Sequence, residues 1–89
     1  MSADSASAAL TVVYYALLRD CAGRDRESVA VTTGATARSL YQQLSARYQF
    51  ELAEDRLQVA VNEEFVAWER ELQAGDEVVF IPPVAGGAR

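Results

Sequence analysis

Histidine and lysine are absent from this sequence, and cysteine occurs once. Without histidine, general acid–base work falls to carboxylates and tyrosine, and nucleophilic chemistry to Cys21 or to a serine lacking its usual base. No self-sufficient catalytic constellation is visible. All eight basic residues are arginine, so the chain has no side-chain amine for a Schiff base and cannot be its own conjugation target through lysine. One cysteine excludes an internal disulfide and, with no histidine, leaves no set of zinc ligands, so no metal site is expected and a reduced, cytoplasmic setting is. No run of about 20 apolar residues exists to span a membrane. The first nine residues are small and polar, without the basic and apolar regions of a signal peptide. No membrane partner is expected.

What is present is globular. Of 89 residues, 51% are hydrophobic and 24% charged, enough for one core, whereas a second core would need about 50 residues of its own. A formal net charge of -5 repels phosphate backbones and anionic lipid. Nucleic acid is therefore not expected as a partner, and a basic protein surface is.

The stretch Leu10 to Leu18, LTVVYYALL, is rich in β-branched and aromatic residues and predicts a strand buried largely on both faces. The polar segment Arg19 to Arg26, with Gly23 inside it, predicts a turn back into an edge strand at Glu27–Val31, where polar and apolar residues alternate. A hairpin follows. Beyond Gly34, Thr36 is a candidate N-cap for a helix whose Ala37, Leu40, Tyr41, Leu44 and Tyr48 form one apolar stripe, with Arg38, Gln42, Gln43 and Ser45 opposite. Serine at position 39 predicts that the reciprocal capping box is missing. Leu57, Val59 and Val61 mark a further strand, Asn62-Glu63-Glu64 a tight turn, Phe65–Trp68 a short strand and Glu77–Ile81 a last one, ended by Pro82 and Pro83. The apolar first and last strands predict a central adjacent pair. This order predicts an α+β domain of the β-grasp or ubiquitin-like class, a mixed sheet of four to five strands covered on one face by one main helix. It occupies residues 10–81, between a flexible arm (1–9) and a flexible tail (82–89).

Cys21 reads as a small side chain at a strand end or in a loop. Glu63, Glu64, Glu69 and Glu71 read as solvated surface able to attract a basic partner. The end of the chain, PPVAGGAR, differs from both. Two successive glycines make the thinnest backbone available, suited to threading a narrow channel toward another protein's active site, although paired glycines alone also describe a frayed terminus.

In its setting the glycine pair says more. LTVVYYALLRDCAGR, then a helix, then LQVAVNEEFVAWERELQAGDEVVFIPPVAGG resembles the MoaD family, the small subunit of molybdopterin synthase, from Leu10 to Gly87. The segment AVNEEFV followed by LQAGDEVVFIPPVAGG is its most specific part. The related thiamine-pathway sulfur carriers share the glycine pair but are less similar around the double proline. The resemblance implies a β-grasp sulfur carrier that is not catalytic alone and binds no cofactor itself. A MoeB-like, ubiquitin-activating-like adenylyltransferase uses ATP and Mg to activate the carboxylate of Gly87, which a sulfur donor converts to a thiocarboxylate. That group is anionic, with a polarisable, nucleophilic sulfur. The tail, including Pro82, Pro83, Val84 and Gly86, then threads a MoaE-like large subunit, where a pyranopterin precursor receives the sulfur during molybdenum cofactor biosynthesis.

Alternation along the strands leaves a sheet face away from the helix, with Val79 and Ile81 opposite to Val78 and Phe80, and Tyr15 opposite to Tyr14. The resemblance implies that Tyr15, Phe65 and Ile81 contact the large subunit, and the alternation adds Val79 to that interface, while ordinary core packing is the other reading. In the sequence Ala88 and Arg89 follow Gly87, whereas members of this type end at the second glycine. Adenylation then requires removal of two residues by a trimming protease. Two alternatives stay open: a sulfur carrier for thiazole or another thio-metabolite, and a non-catalytic ubiquitin-like binding module.

Overall fold

The computed structural model describes residues 7–82; the tail positions Pro83, Val84, Gly86 and Gly87, with Ala88 and Arg89, lie outside the described residues, as do the first six residues of the arm. The elements in chain order are β1 (Ser7–Tyr14), α1 (Ala16–Ala22), β2 (Arg26–Thr32), α2 (Ala37–Tyr48), a single 3₁₀ turn (Glu54–Arg56), β3 (Gln58–Val61), β4 (Glu64–Val66) and β5 (Glu77–Ile81). The five strands form one sheet in the order β2-β1-β5-β3-β4. β1 and β5, the first and last strands, pair in parallel at its centre, and the other pairings are antiparallel. With α2 across one face, this is the α+β arrangement of the β-grasp, ubiquitin-like class.

The helix-covered face carries the core. Leu10, Val12 and Tyr14 of β1, Val59 and Val61 of β3, and Val78 and Phe80 of β5 meet Leu40, Tyr41 and Leu44 of α2 in one cluster, each at most 3% exposed. Strand residues two apart share a face and helix residues three or four apart share a stripe, so these two periodicities alone select the list. Tyr41 ties the layers together, with its ring centroid 5.2 Å from Phe80 and 5.8 Å from Phe50 and its hydroxyl donating to the Leu52 carbonyl oxygen at 2.6 Å.

Several expectations need correction. The strand expected over Leu10–Leu18 ends at Tyr14, and β1 starts earlier, at Ser7, inside the stretch assigned to the arm. The chain then turns sharply through Ala16, at φ 53, into α1, where a polar turn was expected. Leu18 and Ala22, one turn apart, bury one side of α1, and Gly23 ends it at φ 75 with its N–H donating to the Arg19 carbonyl oxygen. Cys21 is thus an exposed helical residue, outside any strand or loop. β1 and β2 do pair antiparallel as a hairpin would, with α1 as the connection. β1 is buried on the helix side only; Thr11 and Val13 on the other side are half-buried.

The capping box of α2 is present, because a serine serves where glutamate is usual: Ser39 N–H donates to Thr36 Oγ1 and Thr36 N–H donates to Ser39 Oγ. The strand expected over Phe65–Trp68 is Glu64–Val66. Beyond Val66 the chain leaves the sheet to satisfy α2, whose Ala37 and Arg38 N–H groups donate to the carbonyl oxygens of Arg70 and Trp68. Trp68 stacks on Phe80 at 5.9 Å instead of extending the ladder.

Candidate functional site

One row of residues crosses the whole sheet on the side away from α2. The register sets Arg26 opposite Val13, Val13 beside Val79, Val79 opposite Ala60 and Ala60 opposite Phe65, so the row touches every strand once. Opposed residues share a face, and the row therefore presents an apolar band with one cation at its end. Tyr15 and Ile81 extend it along the strands, and with Glu63 and Glu77 at the rim these residues line a shallow groove of about 290 Å³. Tyr15, Phe65, Val79 and Ile81, singled out from the sequence, all line it together. Pro82 follows directly from Ile81, so the tail departs from one end of this groove.

Nothing in the described fold covers the face. Val79 and Ile81 are half-buried where their neighbours Val78 and Phe80 are fully buried. Phe65 is 68% and Tyr15 50% exposed, two of the three large hydrophobic residues left mainly in water among the described residues. This contiguous apolar face is the candidate contact surface of the domain. Val13, Ala60, Arg26 and Glu77 were missed because their place depends on which strands are neighbours, and Glu63, read as solvated surface, joins them at the rim. Once β1 is set beside β5, the alternation that exposes Val79 also exposes Val13.

Two polar clusters hold the face in place. At the tail end, Glu27 of β2 reaches across to the buried side, its side chain only 8% exposed. Its Oε2 accepts hydrogen bonds from Tyr14 Oη at 2.5 Å and Tyr48 Oη at 2.7 Å, and Arg24 lies 3.2 Å from Oε1. Burial alone pushes the Glu27 carboxyl up, but the two tyrosine hydroxyls with Arg24 and Arg47 outweigh it and hold the carboxyl below its ordinary range. Tyr14 moves the other way, its phenol pushed far up by burial and by the adjacent carboxylate. Glu27 thus stays ionised and fixes Tyr14, and with it the start of the Tyr15 turn.

At the opposite end, Asn62 and Glu63 form the β3–β4 turn with φ of 52 and 74, a left-handed pair that the strand twist requires in a tight hairpin. Asn62 Nδ2 donates to Asp76 Oδ1 at 3.0 Å, Glu77 N–H donates to Asn62 Oδ1 at 3.0 Å, and Gln73 N–H donates to Asp76 Oδ2 at 2.8 Å. Asp76 is buried, and Gly75 at φ 86 admits the turn before it. The asparagine turn and the Gly-Asp-Glu-Val entry, far apart in sequence, are thus two halves of one clamp on the β3–β5 pair.

Among the described residues no group of three or more His, Cys, Asp or Glu side chains could hold a metal ion, and no helix is long and apolar enough to cross a membrane. Glu69 pairs with Arg38 at 2.9 Å, while Glu63, Glu64 and Glu71 are exposed.

Residues 12–87 match the ThiS family. The molybdopterin synthase sulfur carrier subunit of Escherichia coli (strain K12) is 36% identical over 81 residues, covering 88% of this chain and 99% of that protein. Its counterpart from Mycobacterium tuberculosis (strain ATCC 25618 / H37Rv) is 38% identical over 81 residues, covering 88% and 96%. Among solved structures, the small archaeal modifier protein 1 of H. volcanii superposes with a TM-score of 0.76 at 26% identity, covering 86% of this chain and 99% of that one. With the family match spanning both halves of the sheet and relatives at 36–38% identity along nearly their whole length, the chain belongs to the ThiS family and has the ubiquitin-like β-grasp fold of the molybdopterin synthase sulfur carrier subunits.

Proposed function

We propose that this chain is the small subunit of molybdopterin synthase and that it carries sulfur as a thiocarboxylate on Gly87. A MoeB-like adenylyltransferase, using ATP and Mg, converts the Gly87 carboxylate to an acyl-adenylate with release of pyrophosphate. A sulfur donor displaces AMP and leaves the thiocarboxylate. The loaded tail then enters a MoaE-like large subunit, its sulfur bonds to a carbon of a pyranopterin precursor as an oxygen substituent leaves that carbon, and hydrolysis of the acyl–sulfur bond returns a carboxylate at Gly87. In this scheme Pro82 and Pro83 stiffen the tail's departure from β5, while Val84, Ala85 and Gly86 form the thread. Ala88 and Arg89 must be removed first, because only a free Gly87 carboxylate can be adenylated.

The observation that carries this reading is the uncovered apolar row, with the tail leaving from its end. A protein that holds the Val79–Phe65 face has Pro82, the root of the tail, beside it, so docking energy is available to deliver Gly87 to a remote active site. The absence of histidine and lysine from the chain fits a division of labour in which the partner supplies catalytic groups. The relatives' name, molybdopterin synthase sulfur carrier subunit, fits the same division.

Reconstitution tests it: the form ending at Gly87 is incubated with the activating enzyme, ATP, Mg and a sulfur donor, and its intact mass is read. Replacement of one oxygen by sulfur, followed by its loss when large subunit and precursor are added, is the expected result. A loaded chain that gives no sulfur to the precursor, yet does so to a thiazole-forming system, would assign the carrier to that other pathway.

A further inference from the structure

The third large hydrophobic residue left in water is Leu17, 57% exposed, and the proposed docking of the sheet face does not use it. It lies in α1, where Leu18 and Ala22 take the buried side. A single exposed leucine is unremarkable on most surfaces. This one is not single. Tyr15, 50% exposed, is two residues away and lines the open face, so two large apolar side chains stand exposed within three residues at the groove's edge.

Position in the fold gives the continuation a purpose. The parallel register ends with Tyr14 beside Phe80, and the next residue of each strand, Tyr15 and Ile81, lines the same groove. α1 thus begins directly after the end of β1 that lies beside the end of β5, where Pro82 starts the tail. The junction is also held under strain: Ala16 sits at φ 53, a left-handed conformation that a non-glycine residue adopts only at a cost. That turn lets Tyr15 stay on the open face while the next residue but one emerges on α1. Arg19 and Asp20 follow Leu17 on exposed positions, a polar surround to one apolar side chain.

We propose that Leu17 is a contact for the large subunit, forming with Tyr15 a collar around the root of the tail that the enzyme closes on when the tail is threaded. The proposal rests on the docking reading above. It commits to the large subunit because sulfur delivery needs the tail held deep while the precursor reacts, and an apolar collar excludes water at the channel mouth. Leu17 touches neither precursor nor thiocarboxylate; it is a positioning residue.

The test uses the chain trimmed to end at Gly87, the purified large subunit and three substitutions measured side by side. Leu17→Glu is expected to leave the thermal midpoint near that of the parent and to weaken binding by about tenfold or more, since it places a charge in a desolvated contact. Leu17→Ser is the second variant should glutamate disturb α1. Phe65→Asp serves as the control for the sheet face. If both positions weaken binding, the collar is supported. Should Phe65→Asp weaken binding while both Leu17 variants bind as the parent does, the collar is wrong and the docking face stands. Unchanged affinity for all three removes both. A second readout separates contact from mere adhesion: at saturating large subunit, Leu17→Glu is expected to lower the single-turnover rate of sulfur transfer, and an unchanged rate would overturn the positioning role.

Discussion

Replacing Phe65 by alanine separates docking from folding. A phenylalanine side chain offers about 200 Å² to a partner. With Phe65 68% exposed, roughly 130 Å² of it is still in water, and at about 25 cal/mol per Å² its burial against a partner contributes at most about 3 kcal/mol. Alanine keeps the Cβ, so the expected loss is about 2 kcal/mol, a roughly thirtyfold rise in Kd. The third of the residue that is already packed sits on β4, a three-residue edge strand, and its loss costs the free domain at most about 1.5 kcal/mol. Isothermal titration against the large subunit reads the first quantity, and thermal denaturation of the free chain reads the second. An affinity within about twofold of the parent's would show that the exposed ring meets nothing and would refute the docking face. A loss of stability larger than the loss of affinity would show that Phe65 is a folding residue.

Three further outcomes follow from the geometry. Glu27→Gln removes the charge that accepts both tyrosine hydroxyls and should cost about 2 kcal/mol of stability at neutral pH by denaturant titration. Because the Glu27 carboxyl lies below its ordinary 4.5 in the fold, its contribution is present above that pH and lost as pH falls through the folded value; the parent should lose stability in acid faster than Glu27→Gln, and parallel curves would refute this. Asn62→Ala forces alanine to φ 52 and takes one hydrogen bond from buried Asp76 and another from the Glu77 amide, so its urea midpoint should fall by the equivalent of about 2–3 kcal/mol. Deleting Gly87 should abolish sulfur loading while the thermal midpoint stays unchanged, since the core closes within residues 10–80; a lowered midpoint would make the tail structural.

The strands with one clear period were legible from the residues alone. Glu77–Ile81 alternates apolar pairs between two prolines and a Gly-Asp turn, and β5 has those bounds. α2 was equally clear, because its stripe of Leu40, Tyr41 and Leu44 has no competing period. α1 was hidden by its own brevity: seven residues give one pair of buried positions, Leu18 and Ala22, and Leu17-Leu18 completes an apolar run that reads as strand. What ended β1 was backbone conformation at Ala16, which hydropathy does not register. The end of β4 was illegible for a similar reason, since Trp68 is as good a strand residue as Phe65 and is drawn off only because α2 needs the 68–70 carbonyls. The open face was half legible: alternation exposed Val79 and Ile81, but Val13 and Ala60 join them only through strand order.

The central claim is that Gly87 becomes a thiocarboxylate, and the mass of the native chain tests it most directly. Protein isolated from its host, or treated with the activating enzyme, ATP, Mg and a sulfur donor, is predicted to end at Gly87 with one terminal oxygen replaced by sulfur. A chain that still ends at Arg89 and gains no sulfur under those conditions would contradict the account.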